Sequence, residues 1–177
     1  MKKLLLLSLF STSSIAGQFD LILNGQSFHS EKQYIEYTET IHNKTCYYWY
    51  CSETTEQIIH KRDFNQTNTG LGIQYDLNDY SFIQVGYYKD SYYTTANYIG
   101  IGYTKNFNVV NDLKLGTGIT IQYLHSPSYM KGHPFIVPLP IATFGTSDIA
   151  LQMLFSPKIG KINDVDALFF QLKIKIK

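Results

Sequence analysis

The stretch YYKDSYY, from Tyr87 to Tyr93, places an adjacent carboxylate and hydroxyl, Asp90 and Ser91, among four tyrosines. Asp and Ser side chains favour short turns, because their oxygens accept hydrogen bonds from nearby backbone N–H groups. A turn can also present a reactive hydroxyl to a substrate. The stretch is therefore a plain turn or the reactive end of an enzyme, and the two interpretations are compatible.

Histidine is the other side chain whose chemistry operates near neutral pH. The chain has five, at positions 29, 42, 60, 125 and 133. His29 follows Phe28 at the end of the first predicted strand, whereas the other four fall in predicted external loops, where a solvated role is expected. No spacing among them is typical of a metal site, so we predict neither a metal nor a cofactor.

The segments that must position these residues alternate in polarity, as β-strands do. In KLGTGITIQY (114–123) every second residue from Leu115 to Tyr123 is apolar or a threonine, and the residues between them are small or polar. The C-terminal FFQLKIKIK alternates in the same way. A soluble sandwich turns such apolar residues inward, whereas a small membrane barrel turns them outward into lipid. The alternation alone does not choose between the two.

Eight segments are long enough to cross an outer membrane at a tilt. They lie near 18–29, 67–77, 80–90, 93–106, 112–124, 136–144, 148–156 and 165–177. The connections after the first, fifth and seventh segments are long, and the other four are short. Apart from the short third connection, this alternation is typical of barrels with long external loops and short periplasmic turns. We predict an all-β fold, an eight-stranded antiparallel up-and-down transmembrane β-barrel. Odd-numbered strands then run outward, which places His29 and Asp90-Ser91 at the same outer rim.

The first sixteen residues, MKKLLLLSLFSTSSIA, have the form of a secretory signal peptide, with two lysines, an apolar run and a small-x-small cleavage site. We expect a single barrel domain over 17–177, with a long external loop at 30–66. No apolar run of eighteen residues follows the signal, so a helical membrane span is not expected. An eight-stranded barrel is too narrow for a channel.

The charge balance argues against one class of binding partner, and the two cysteines predict a disulfide. The chain has 15 basic residues, of which Lys2 and Lys3 lie in the signal, so 13 remain against 14 acidic residues. Nucleic-acid binding is not expected from so balanced a charge. Cys46 and Cys51 lie close together in an exported chain, which favours a local disulfide, with a free buried pair as the alternative.

The order and spacing of several motifs resemble a known family. SFH before a long insertion, YYKDSYY, YIGIGYTKN and FIVPLPIATFGTSDIALQMLFSP are similar to the lipid A palmitoyltransferases of Gram-negative outer membranes, called PagP. The similarity extends from about residue 21 to the C-terminus. It implies catalytic roles for His29, Asp90 and Ser91. Acyl transfer from an ester requires a nucleophile or an activated acceptor hydroxyl, and His29 is the expected general base. A carboxylate beside that histidine could orient it, and the role of Ser91 stays open.

The resemblance also implies substrate-binding positions. Gly102, with Gly100 beside it, matches the residues that line an acyl-chain pocket, although relief of barrel curvature explains such glycines equally well. Pro138 and Pro140 have no N–H to donate to a neighbouring strand. Two prolines in one strand of a closed barrel indicate either a lateral gate for lipid, as in the family, or a simple bulge.

The function expected from the resemblance is transfer of a palmitoyl-like chain from a phospholipid to lipid A or a related glycolipid. Phospholipid and lipid A are the expected partners, the location is the outer membrane of a Gram-negative bacterium, and we expect a monomer. The alternative is a non-enzymatic barrel of the same fold, whose external loops bind a partner or shield the cell.

Overall fold

The computed structural model describes residues 17–31, 34–159 and 165–176. The predicted signal peptide lies outside these residues. The strands of the described chain are β1 (Gln18–His29), β2 (Tyr34–Tyr47), β3 (Tyr50–Asp63), β4 (Thr67–Asp76), β5 (Ser81–Lys89), β6 (Thr95–Val110), β7 (Leu113–His125), β8 (Phe135–Gly145), β9 (Ile149–Ser156) and β10 (Ala167–Lys175). A single 3-10 turn at Met130–Gly132 precedes β8.

Eight of these strands form a closed antiparallel barrel in the order β1-β10-β9-β8-β7-β6-β5-β4. Strand β1 closes it by pairing with both β10 and β4. The predicted fold class is therefore confirmed. Among the described residues, no helix has the length and apolar character to cross a membrane.

The barrel exterior is apolar, which decides between the two interpretations of the alternation. On β6 the inward residues Tyr98 and Gly102 are buried, whereas Ile99 and Ile101 on the opposite face are 52% and 55% exposed. Neighbouring strands repeat this arrangement, with isoleucine, leucine, valine and tyrosine outside. Exposed apolar side chains over a whole barrel surface are stable in lipid and not in water.

We call the end of the barrel that carries His29 the upper end and the end that carries Gln18 the lower end. The turns at the lower end are short, and the upper end holds the longer connections. The longest of these is largely a β-hairpin, β2–β3, whose strands pair only with each other. The sequence predicted this region only as a long external loop.

The sequence of this hairpin does not predict strands, because neither of its faces is continuously apolar. Its pairs run without a register shift from Tyr34 opposite Asp63 to Tyr47 opposite Tyr50. Near the tip Cys46 and Cys51 are opposite each other and form a disulfide. Since a two-stranded hairpin is marginally stable by itself in water, the disulfide stabilises the tip.

Candidate active site

His29 and Ser91 meet at the upper rim of the barrel. His29 is the last residue of β1, and Ser91 lies in the turn between β5 and β6. The His29 Nε2 and Ser91 Oγ atoms are 2.8 Å apart. The segment after the hairpin supports both residues, because the Phe64 ring packs against His29 at 5.3 Å and the Asn65 N–H donates to the Ser91 carbonyl. Two residues 62 positions apart thus form a dyad.

Asp90 uses its carboxylate within the turn and its neighbouring loop. Its Oδ1 accepts hydrogen bonds from the backbone N–H groups of Tyr92 and Thr94, both at 2.9 Å. Its Oδ2 accepts from the hydroxyls of Thr94 and Ser126. The structure therefore brings His29 and Ser91 together and directs the Asp90 carboxylate elsewhere. The second ring nitrogen of His29, Nδ1, is buried without a hydrogen-bond partner among the described residues.

The dyad can transfer protons without a carboxylate. When Nδ1 carries the proton of the neutral imidazole, Nε2 is free to accept one. At 2.8 Å it can accept the proton of Ser91. Ser91 is only 2% exposed, so its hydroxyl lies away from bulk water.

Aromatic rings enclose the dyad. Tyr92 packs on Phe64 at 5.0 Å and on Tyr129 at 5.5 Å, and Tyr129 lies in the loop between β7 and β8. Burial raises the pKa of Tyr129 well above its ordinary value, so its phenol stays protonated and can donate a hydrogen bond. Sequence reasoning missed Tyr129 and Ser126. The loop motif HSPSY gives a weak signal, because its serines are typical turn residues.

An apolar cavity of about 70 Å³ lies below the dyad. His29, Ser91 and Tyr129 form its upper wall. Its deeper wall is apolar and includes Leu124, Phe135, Val137, Leu139, Leu154 and Phe169. Three of these, Val137, Leu139 and Leu154, pack with Phe82 and Ile141 in one buried cluster. A reactive rim above an apolar interior is suited to an amphipathic substrate with an apolar chain.

The match to known families agrees with this geometry. Residues 26–173 match the family described as "Antimicrobial peptide resistance and lipid A acylation protein PagP". The chain belongs to the PagP family. This family consists of outer-membrane β-barrels that acylate lipid A. No curated protein matches the chain.

Solved structures similar to this PagP-family chain are small membrane barrels. The solution structure of the de novo designed TMB2.3 is 14% identical with a TM-score of 0.48, covering 91% of this chain and 95% of the other. Neisserial surface protein A is 12% identical with a TM-score of 0.34, covering 90% and 96%. Ail of Yersinia pestis, solved with the heparin analogue sucrose octasulfate, is 9% identical with a TM-score of 0.35, covering 90% and 95%.

The glycines assigned to the PagP acyl pocket lie behind the cavity wall. A Cβ on Gly102 would clash with the Phe82 ring, which occupies the space that the glycine leaves. A Cβ on Gly100 would be 3.0 Å from the Gln122 side chain. Within the described part of the chain, neither glycine lines the upper cavity. Gly102 therefore contacts Phe82, which packs against residues of the cavity wall such as Val137 and Leu139.

Pro138 and Pro140 lie where one strand boundary of the barrel is unpaired. Strand β8 pairs with β7 along its length, and no register shift interrupts that pairing. Its pairing with β9 begins only at Ile141 opposite Leu154, so within the described part of the chain residues 135–140 do not pair with β9. The prolines point outward, while Val137 and Leu139, which alternate with them along the strand, line the cavity. The upper part of the β8–β9 boundary is thus an unpaired seam beside the cavity.

No group of three or more His, Cys, Asp or Glu side chains in the described ranges could hold a metal ion. His42 and His60 lie on the hairpin, where His60 pairs with Glu39 at the surface. Neither residue lines the cavity below the dyad, and the candidate site is built from the rim residues alone.

Proposed function

We propose that this chain transfers a fatty acyl chain from a phospholipid to lipid A or a related glycolipid. The observation that carries the proposal is the 2.8 Å contact between His29 Nε2 and Ser91 Oγ above an apolar cavity. The family's activity, acylation of lipid A, supplies the class of reaction. The phospholipid donor is proposed because the cavity walls are mainly apolar, so they suit the part of an acyl chain next to its ester carbonyl, and because the reactive groups lie at the rim, where ester carbonyls of a lipid would lie.

In the proposed reaction His29 acts as the general base. Its Nε2 takes a proton from the attacking hydroxyl, which adds to the ester carbonyl of the donor. The tetrahedral intermediate then expels the lysophospholipid alkoxide, which takes the proton back from His29. If Ser91 attacks, an acyl-enzyme forms and the acceptor hydroxyl repeats the two steps. If the acceptor hydroxyl attacks directly, Ser91 holds the imidazole in place.

In this proposal Asp90 contributes to catalysis only indirectly. Its carboxylate fixes the turn that carries Ser91 and ties it to the Ser126 loop. We therefore assign Asp90 as a positioning residue, whereas His29 and Ser91 are catalytic residues. The imidazolium formed during the reaction has no carboxylate beside its Nδ1 among the described residues.

The unpaired seam between β8 and β9 is the proposed route by which lipid reaches the cavity. Opening a strand boundary normally breaks backbone hydrogen bonds, and Pro138 and Pro140 have no N–H to contribute. Val137 and Leu139 of the same segment line the cavity, so a chain entering there would meet apolar walls. Phe82, held over Gly102, is proposed to set the greatest chain length that the cavity accepts.

Phospholipid and lipid A are thus the proposed partners of a monomeric barrel. We propose that the protein is exported by its N-terminal signal to the outer membrane of a Gram-negative bacterium. The upper end, with its hairpin, then faces the exterior.

Mass spectrometry of lipid A from cells that make the protein tests the proposal. We expect an added acyl mass, which His29→Ala and Ser91→Ala should abolish while the barrel remains folded. His42→Ala is the matched control, because His42 lies on the exposed hairpin. A correctly inserted protein that adds no acyl mass would contradict the proposal.

One observation favours a second function. The hairpin tip exposes Tyr48 and Trp49 at 99% and 94%, and such rings are typical of interaction surfaces. A surface barrel that binds a partner through this tip would lose its cellular phenotype when residues 46–51 are replaced by a short turn. It would keep that phenotype when His29 and Ser91 are replaced by alanine.

A further inference from the structure

Arg62 is the only arginine in the chain, whose other 14 basic residues, from a total of 15, are lysines. It lies near the end of β3, two positions before the Phe64 ring that packs on His29. Its guanidinium carbon lies 3.4 Å from the centre of the Tyr93 ring. Tyr93 follows Ser91 by two positions. The single arginine therefore stacks on a tyrosine of the same turn that carries Ser91.

The stacked pair is held in place by the surrounding turn. The Tyr93 hydroxyl donates to the Asp63 carbonyl at 3.2 Å, and the Tyr93 N–H donates to the Asp90 carbonyl. Tyr93 has a φ of 64°, a left-handed conformation that is unfavourable for a tyrosine. Strained conformations of this kind persist where the surrounding structure enforces them, and they cluster at functional sites.

Arg62 has no carboxylate partner within the described ranges. The lysines of the hairpin do, since Lys44 pairs with Glu53 and Lys61 pairs with Glu36. Asp63 follows Arg62 directly, but successive side chains on a strand point to opposite faces. The contact with Tyr93 restrains the guanidinium, and because Arg62 is exposed its N–H groups can reach a ligand.

An exposed, oriented and unpaired guanidinium at a lipid site is suited to phosphate. Arginine binds phosphate through two parallel hydrogen bonds in the plane of the guanidinium, which a lysine cannot reproduce. Stacking on an aromatic ring reduces the loss of side-chain freedom on binding. Both proposed substrates carry phosphate, as a phosphodiester in the donor headgroup and as a phosphate ester on lipid A.

We propose that Arg62, supported by Tyr93, binds a phosphate group of a lipid substrate at the rim of the site. The inference rests on the proposed acyl transfer for the identity of that lipid. Arg62 orients the headgroup so that the reacting ester or hydroxyl lies at the His29–Ser91 dyad. It is a substrate-binding residue and takes no part in proton transfer.

The test compares substrates with and without phosphate in the purified full chain. Lipid A with both phosphates and the same lipid without phosphate serve as acceptors, and phosphatidylethanolamine and diacylglycerol serve as donors. We expect Arg62→Gln to raise KM by about tenfold or more for the phosphate-bearing member of one pair, because it removes both charge-assisted hydrogen bonds. KM for the phosphate-free member should not change, and the affected pair identifies whether acceptor or donor is bound.

The matched control is Lys61→Gln, which removes the same charge from the adjacent position but from a residue paired with Glu36. Arg62→Lys keeps the charge and should still raise KM, because it loses the planar double contact. Equal effects of Arg62→Gln on both members of each pair, or none, would overturn the inference.

A binding measurement separates this inference from the proposed reaction. In the double variant His29→Ala Ser91→Ala, native mass spectrometry should show retention of bisphosphorylated lipid A or phosphatidylethanolamine, and Arg62→Gln should reduce it. If wild-type protein transfers no acyl chain but retention still depends on Arg62, the reaction fails and the phosphate site stands. If retention is the same with and without Arg62, the phosphate site fails whatever the activity.

Discussion

The two ends of the barrel interior have opposite chemistry, although the same eight strands build both. The upper cavity is walled mainly by apolar side chains and ends at the His29–Ser91 dyad. The lower cavity, about 580 Å³, is lined by amides, hydroxyls and charged groups such as Gln74, Asp76 and Lys173. Phe82 lines the lower cavity and packs into the apolar cluster above, so it lies between the two.

The lower end pairs charged side chains of its interior with one another, whereas the histidine at the upper end keeps one ring nitrogen unpaired within the described part of the chain. Lys173 bridges Asp20 and Asp76 at 3.2 Å each, and Gln152 donates to Gln74 across the barrel. In contrast, Nδ1 of His29 has no partner among the described residues. Paired polar groups inside a barrel stabilise closure, whereas an unpaired one beside a cavity is typical of a site. We therefore expect the ion pairs of the lower end to contribute mainly to stability and the upper dyad to carry the proposed reaction.

The strongest test of this difference between the two ends is to replace Lys173. Asp20 is 1% exposed and would be left buried without its cation, so Lys173→Met should lower the free energy of unfolding by about 3 kcal/mol. Acyl transfer by the folded fraction should stay at the wild-type rate, because the change lies at the lower end. Urea unfolding in lipid vesicles, with transfer measured on the same preparation, checks both expectations.

Lys44→Met is the control for that experiment. Lys44 pairs with Glu53 on the hairpin, and both side chains are more than half exposed. The loss of such a pair should cost less than about 1 kcal/mol. If both variants lose the same stability, the lower end has no special structural role.

A second prediction concerns the boundary between the two ends. Gly102→Ala places a Cβ against the Phe82 ring and should push that ring toward the upper cavity. Overpacking of this kind costs about 1 to 3 kcal/mol and should shorten the longest acyl chain transferred. Phe82→Leu should have the opposite effect on chain length. Mass spectrometry of the product lipid measures the acyl chains directly.

Gly100→Ala is the matched control, because its Cβ would meet the flexible Gln122 side chain at 3.0 Å and no aromatic ring. It should change the acyl-chain distribution less than Gly102→Ala. An unchanged distribution in both Gly102→Ala and Phe82→Leu would show that Phe82 does not determine chain length.

The sequence predicts the barrel more fully than the site, for a physical reason. Strands in lipid must alternate strictly, so Ile99, Ile101 and their neighbours mark both the strands and their outward face. Hairpin strands β2 and β3 have no such requirement, since both faces are exposed. They were therefore predicted only as part of a loop.

Within the site, topology predicts proximity but not hydrogen bonding. The strand order places His29 and Ser91 at one rim, and the structure brings them into contact. The direction of the Asp90 carboxylate depends on Ser126, which arrives from a loop 36 positions away. The stacking of Arg62 on Tyr93 likewise depends on how the hairpin joins the turn. No local pattern contains that information.

The variants with the smallest expected effects test whether the Asp90 carboxylate stabilises the turn or takes part in catalysis. An amide at this position keeps an oxygen for the Tyr92 and Thr94 N–H groups and presents NH₂ to the hydroxyls of Thr94 and Ser126, which can rotate to accept. Asp90→Asn should therefore cost about 1 kcal/mol of stability and reduce acyl transfer only modestly. Ser126→Ala should have a similar effect, because it breaks the same connection from the other side.

A carboxylate that acted through His29 would behave differently, with Asp90→Asn reducing transfer about as strongly as His29→Ala while Ser126→Ala left it intact. Transfer rates of the three variants, measured with their unfolding curves, decide between the two roles.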